Sequence, residues 1–154
     1  MAKEIERKFL VDTEIWHPRG NGKTIRQGFI ATHGQTAVRV RISGKDAYLT
    51  VKGPSHGAER SEFEYTIPVS DAEKILDELC ERPFIDKIRY HVEFSGNIWE
   101  VDVFHGENQG LIIAEIELNV PDQQITLPPW VLEEVTGDPR YFNVNLIKHP
   151  YGSW

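Results

Sequence analysis

The chain has a single cysteine, Cys80, in 154 residues. A lone thiol excludes an internal disulfide framework and fits a reducing, intracellular compartment. No apolar run approaches the length of a membrane span, and the start, Met1-Ala2-Lys3-Glu4-Ile5-Glu6-Arg7-Lys8, lacks the apolar stretch of a secretory leader. A cytoplasmic protein with no membrane partner is expected. Basic charge is scarce: 17 Lys and Arg against 24 Asp and Glu leave a formal net charge of −7. That balance argues against coating nucleic acid with the outer surface. It leaves room for an anion held in a locally basic pocket. The histidines, at 17, 33, 56, 91, 105 and 149, are scattered without ligand spacing. No glycine-rich phosphate loop is present, since Gly20-Asn21-Gly22-Lys23-Thr24 has neither the Walker spacing nor a strand before it.

What the chain does have is alternation. With 40% apolar and 27% charged residues, it reads as one domain, 1–154, able to bury a core without metal or disulfide staples. Period-2 patterning predicts strands over 2–11, 25–33, 36–43, 46–53, 60–68, 84–94, 98–105 and 110–119, punctuated by Gly, Pro, Asn and Asp. Ser70 with Glu73 forms a capping-box pattern ahead of Ile75, Leu76 and Leu79, and Pro83 ends that helix. A short helix is expected over Pro129–Val135, and another from Asp138, with Pro139 at its first position, through Leu146. The fold class is α+β, mainly β. Eight strands with little helix suggest a sandwich or a barrel. If a barrel closes with charges inside, the helices and Trp16, Trp130 and Trp154 help cover its apolar outside.

Like charges recur two residues apart, and i and i+2 share a strand face. The acid pairs are Glu4/Glu6, Asp12/Glu14, Glu62/Glu64, Asp71/Glu73, Glu100/Asp102 and Glu115/Glu117; the basic pairs are Arg39/Arg41 and Lys87/Arg89. Composition alone gives roughly four such acid pairs, so their number decides nothing. Their placement does. Most fall in predicted strands, where charged residues are disfavoured, and the strands segregate by sign. Carboxylate oxygens without Cys or clustered His select Mg2+ or Mn2+. Arg and Lys opposite them match phosphate oxygens. Carboxylate, cation, phosphate and guanidinium together neutralise a phosphoryl group during transfer.

These segments resemble the CYTH superfamily, the triphosphate tunnel metalloenzymes. Glu4-Ile5-Glu6-Arg7-Lys8-Phe9-Leu10 is similar to the family's ExExK signature. Arg39-Val40-Arg41, Thr50-Val51-Lys52-Gly53, Glu62-Phe63-Glu64, Lys87-Ile88-Arg89, Glu100-Val101-Asp102-Val103-Phe104 and Ala114-Glu115-Ile116-Glu117-Leu118 follow in its order. Val135-Thr136-Gly137-Asp138 and Arg140-Tyr141-Phe142-Asn143 look like its C-terminal segment. The resemblance implies a closed eight-stranded antiparallel barrel with a charged lumen, a few helices outside, and Mg2+ or Mn2+ as cofactor. It implies that Lys8, Arg39, Arg41, Lys52, Lys87 and Arg89 hold phosphates. Glu4, Glu6, Glu62, Glu64, Asp102, Glu115 and Glu117 would bind metal or its waters. Replacing Glu115 and Glu117 together is expected to abolish metal-dependent turnover and leave the fold intact or stabilised.

The activity implied is hydrolysis of the terminal phosphate of inorganic tripolyphosphate or an organic triphosphate, the partner being that small molecule and the protein a monomer or homodimer. The alternatives are a class IV-type adenylate cyclase and a non-catalytic polyphosphate-binding module. One departure stands out. Short bacterial relatives often read Gln-Gly-Tyr where this chain has Gln27-Gly28-Phe29, and that Tyr is a proposed proton acceptor. Phe29 has no hydroxyl, so either a metal-acidified water attacks unaided, the favoured reading, or Lys8 or a carboxylate such as Glu4 assists it.

Overall fold

In the computed structural model, which describes residues 3–154, nine strands lie in one antiparallel sheet that curls and closes on itself. In chain order they are β1 (Lys3–Val11), β2 (Lys23–Ile30), β3 (Ala37–Ser43), β4 (Asp46–Lys52), β5 (Glu59–Ile67), β6 (Ile85–Phe94), β7 (Asn97–Phe104), β8 (Ile112–Glu117) and β9 (Val131–Glu134). Helix α1 (Val69–Leu79) joins β5 to β6, and α2 (Asn143–Leu146) lies near the C-terminus. The neighbour order is β5-β4-β3-β2-β6-β7-β8-β1-β9, and pairing of β1 with β5 closes an eight-stranded barrel. Tight turns set the register. Ser95 and Gly96 both take positive φ between β6 and β7, as a two-residue hairpin of the twisted type requires.

The eight strands lie where alternation predicts them, within three residues at each end. β9 is a correction. Val131–Glu134 is a strand, not part of a helix over Pro129–Val135. β5 pairs with β1 only as far as Ile5, and β9 takes up the same edge opposite Phe9 and Val11. Backbone groups that would otherwise stand open on that edge are thereby paired. The C-terminal helix is also broken. Pro139–Tyr141 forms a 3-10 turn, Phe142 is extended (φ −68°, ψ 131°), and α2 starts afresh at Asn143. Asp138 does cap the turn, accepting from the Arg140 backbone N–H at 3.1 Å. Before α1, Pro68 takes the N-cap position and no side chain caps the helix, so Ser70 and Glu73 make no capping box there.

Apolar residues gather in three places. Ala72 and Leu76 of α1 pack on Val40 and Ala47, on the outside of the barrel. The helix lies so close to β2 that a Cβ on Gly28 would sit 2.9 Å from Leu76 Cδ2 and Cys80 Cβ, which explains the glycine. On another outer face Phe9, Trp99, Val101, Ala114 and Ile116 are covered by Trp16 and Trp130. Trp154 contributes little of the expected cover. It is 49% exposed and stacks edge-on against Tyr141 and Tyr151. The third cluster lies inside. Phe29, Ile85, Phe104 and Ile113 continue the inward faces of their strands and meet Val135, Tyr141, Leu146 and Ile147 of the C-terminal segment. One end of the lumen is therefore filled by hydrocarbon, and the polar site occupies the rest.

Candidate functional site

Residues directly opposed on neighbouring antiparallel strands project to the same face. The observed register sets Glu6 opposite Glu117, Lys8 opposite Glu115, Glu100 opposite Glu115, Arg89 opposite Asp102 and Lys52 opposite Glu62. The charged positions singled out in the sequence thus share the inner face of the barrel. Glu4, Glu6, Lys8, Arg39, Arg41, Lys52, Glu62, Glu64, Lys87, Arg89, Glu115 and Glu117 line one cavity of about 210 Å3. Asp102 lies beneath this wall rather than on it, locked between Lys87 (2.7 Å) and Arg89, which donates from Nε and Nη2 at 2.7 and 2.9 Å.

Each charge is tuned by its neighbours. Burial would raise Asp102, but Lys87 and Arg89 hold it far below the ordinary carboxylate range. Glu115 is also buried, and Lys8 (3.8 Å) and Arg89 (3.7 Å) bring it down to about 2. Glu6 goes the other way. Burial, then Glu115 and Glu4, raise it to about 8. Burial with Glu4 and Glu100 also raises Glu117. Lys52 sits between Glu4 (3.0 Å) and Glu62 (3.3 Å). Burial lowers Arg39, whose Nη2 donates to Thr50 and lies 3.5 Å from Glu64, while its Nε is buried without a partner. Arg41 has no carboxylate within ion-pair distance among the described residues; its Nε donates to Gln27 Oε1 at 2.7 Å. These two guanidiniums are the groups with bonds left to make.

The acidic side of the cavity suits a hard divalent cation. Its donors are all carboxylate oxygens, and burial, with repulsion from neighbouring acids, keeps Glu6 and Glu117 protonated more readily than free glutamates. Among the described residues no three such groups already converge on one point, because Glu4 and Glu115 turn toward Lys52 and Lys8. The donor chemistry fits a metal that draws these side chains off their lysines.

Arg60, Glu100, Phe142 and Asn143 line the cavity and Gln27 lies buried behind Arg41 and Asn143, yet none of them was singled out in the sequence as a site residue. Arg60 faces the cavity with its guanidinium bound to the Gly53 carbonyl at 2.8 and 3.1 Å. Phe142 lies 5.5 Å from Lys8 Nζ, its ring beneath the ammonium. Gln27 and Asn143 are neutral and carry no charge pattern. Gln27 could have been found, as the one polar position among Ile25, Gln27 and Phe29 on a face now seen to be inward. Phe29 itself lines the cavity and belongs to the apolar end.

The CYTH domain family matches residues 2–151. An inorganic triphosphatase of Acetivibrio thermocellus is 51% identical over 151 residues, spanning 98% of this chain and 97% of that protein. An inorganic triphosphatase of Nitrosomonas europaea is 37% identical over 146 residues, 91% and 93% of the two chains. A solved structure of an inorganic triphosphatase superposes with a TM-score of 0.67 at 35% identity, covering 96% of this chain and 95% of that one. A putative adenylate cyclase from Bacillus halodurans shares the fold at 18% identity and a TM-score of 0.63, covering 79% of this chain and 84% of its own. With its lumen of opposed acids and bases and a match running almost end to end, the chain belongs to the CYTH family.

Proposed function

We propose that the protein is a triphosphatase that removes the terminal phosphate of a linear triphosphate, with inorganic tripolyphosphate as the preferred substrate. The observation that carries this reading is the pair Arg39, buried, and Arg41, half-buried beside it, in a cavity walled on its other flank by carboxylates. A guanidinium with open donors in such a place fits phosphate oxygens in a bidentate fork. At about 210 Å3 the cavity is smaller than sites for drug-sized ligands, which favours an inorganic chain. The relatives' names point the same way, being inorganic triphosphatases at 51% and 37% identity.

In this reading Arg39, Arg41, Lys52, Lys87 and Arg89 bind and orient the chain of phosphates. Lys8, over the Phe142 ring and between Glu6 and Glu115, supports the phosphoryl group as its charge redistributes. Glu4, Glu6, Glu115 and Glu117, with Glu62 and Glu64 around them, would hold Mg2+ or Mn2+ or order its waters, while Asp102 stays with Lys87 and Arg89. When bound, that cation supplies charge neutralisation and a water of lowered pKa. Glu4 orients the attacking water and accepts its proton. Phe29 takes no proton; it closes the inner end against bulk water.

A substrate panel tests the assignment. Phosphate release from tripolyphosphate, ATP, thiamine triphosphate and pyrophosphate is measured with Mg2+ and with Mn2+. Tripolyphosphate is expected to give the highest kcat/KM. Cyclic AMP as the main product from ATP replaces this reading with a cyclase, and tight binding without turnover replaces it with a polyphosphate sensor. A cytoplasmic monomer or homodimer acting on a small molecule is the setting proposed for it.

A further inference from the structure

Two neutral side chains connect the C-terminal segment to two of the cations in the cavity. Arg41 Nε donates to Gln27 Oε1 at 2.7 Å. The Gln27 amide N–H donates to Asn143 Oδ1 at 2.6 Å, and the same oxygen accepts from Lys87 Nζ at 2.9 Å. Arg and Lys can only donate, so the oxygens of Gln27 and Asn143 must face them. That leaves the Gln27 NH2 to reach Asn143, and no flip of either amide satisfies all three bonds. Gln27 is fully buried. It comes from β2, Arg41 from β3, Lys87 from β6 and Asn143 from the first turn of α2, so four distant segments meet in one chain of hydrogen bonds.

We propose that Gln27 and Asn143 are positioning residues, fixing Arg41 in the pose that receives phosphate while leaving its charge uncancelled, and tying Lys87 into the same chain of hydrogen bonds. Neutrality is the point of the arrangement. A carboxylate at position 27 would hold Arg41 as firmly, but it would compete with the phosphate for the same guanidinium. The neighbouring cations illustrate this: Lys8, Arg39, Lys52, Lys87 and Arg89 each have carboxylates within 4 Å, while the side chain that holds Arg41 is a neutral amide. Arg41 is thus pre-aimed without being pre-neutralised, and no ion pair has to break before it binds.

The inference rests on the reading of the cavity as a triphosphate site, and its test separates the two. Equilibrium binding of tripolyphosphate is measured in chelator, without turnover, on the wild type, Gln27→Glu, Asn143→Ala, Arg41→Ala and the Gln27→Glu/Arg41→Ala double variant, with thermal melts alongside. Gln27→Glu preserves volume and the bond from Arg41 but loses the donor to Asn143, a cost the melts report; the folded variant should bind about tenfold more weakly. Asn143→Ala should also weaken binding, through both Arg41 and Lys87. In the Arg41→Ala background, Gln27→Glu should add little, because its effect passes through Arg41. A folded Gln27→Glu protein with unchanged affinity, or losses that add fully in the double variant, overturns the positioning role alone. A wild type that binds no tripolyphosphate overturns the functional reading and this inference together.

Discussion

Lys87 and Asp102 project inward from neighbouring strands β6 and β7 and meet with Nζ 2.7 Å from Oδ2, both side chains only 1% exposed. Arg89 completes the group with its own two bonds to the same carboxylate. One negative charge thus anchors two positive ones that face the cavity. Such a buried set is costly to break from one side, because the remaining charges are left without compensation.

Removing that anchor should therefore show in stability. Asp102→Ala is expected to lose about 3–5 kcal/mol against denaturant, the range for stripping one partner from a buried ion pair. Urea melts measure it. A midpoint equal to the wild type's would mean that Lys87 and Arg89 find other partners.

The acidic wall gives a pH prediction of the opposite sense. Glu6, at about 8 in the fold against an ordinary 4.5, keeps a proton that the unfolded chain releases. Its contribution to stability is full below about 4.5 and is lost as pH rises through 8. In chelator, the melting temperature of Glu6→Gln should gain on that of the wild type from pH 5 to about pH 8 and level off above it. Parallel curves would show that Glu6 ionises freely.

Glu115 and Glu117 should separate, although the sequence pairs them. The joint substitution was expected to leave the fold intact or stabilised through relief of like-charge repulsion. The structure restricts that expectation to Glu117, whose neighbours are mostly acids. Glu115 is the counter-charge of Lys8 and Arg89. Glu115→Gln is expected to lose about 1–3 kcal/mol, and Glu117→Gln to match or exceed the wild type, in metal-free melts. Both should forfeit the rise in melting temperature that Mg2+ or Mn2+ gives the wild type.

Arg39 has an unpartnered Nε and little beyond Thr50 and Glu64 to hold it. Arg39→Ala is expected to weaken tripolyphosphate binding by about 1.5–3 kcal/mol, the worth of a charge-assisted bond. Titration calorimetry in chelator would read it, and an unaltered affinity places Arg39 outside the site.

The strands were legible because one face of each had to be apolar and the other charged, a pattern that survives without any tertiary information. β9 was not, because Val131-Leu132-Glu133-Glu134 has no alternation and follows two prolines; it is strand because β1 has an open edge there. The charged wall was readable for the same reason as the strands. Gln27 and Asn143 were not. A neutral amide leaves no mark in a charge pattern, and its meaning depends on which cations the fold brings beside it.

Closure of the barrel has a consequence for the order of folding. β1 carries Glu4, Glu6 and Lys8, yet its partners are residues 59–61 of β5, 113–117 of β8 and the short strand at 131–134. During synthesis the first strand to emerge must wait for more than a hundred further residues before its main ladder exists. Contacts of such sequence separation are slow to form, and the loop entropy is lost before they compensate. Hairpins assembled earlier already oppose acids and bases, as β6 does with β7, but none of them contains Glu4, Glu6 or Lys8. Regain of triphosphate binding after dilution from denaturant should therefore track the last folding event, making the ligand a reporter of closure.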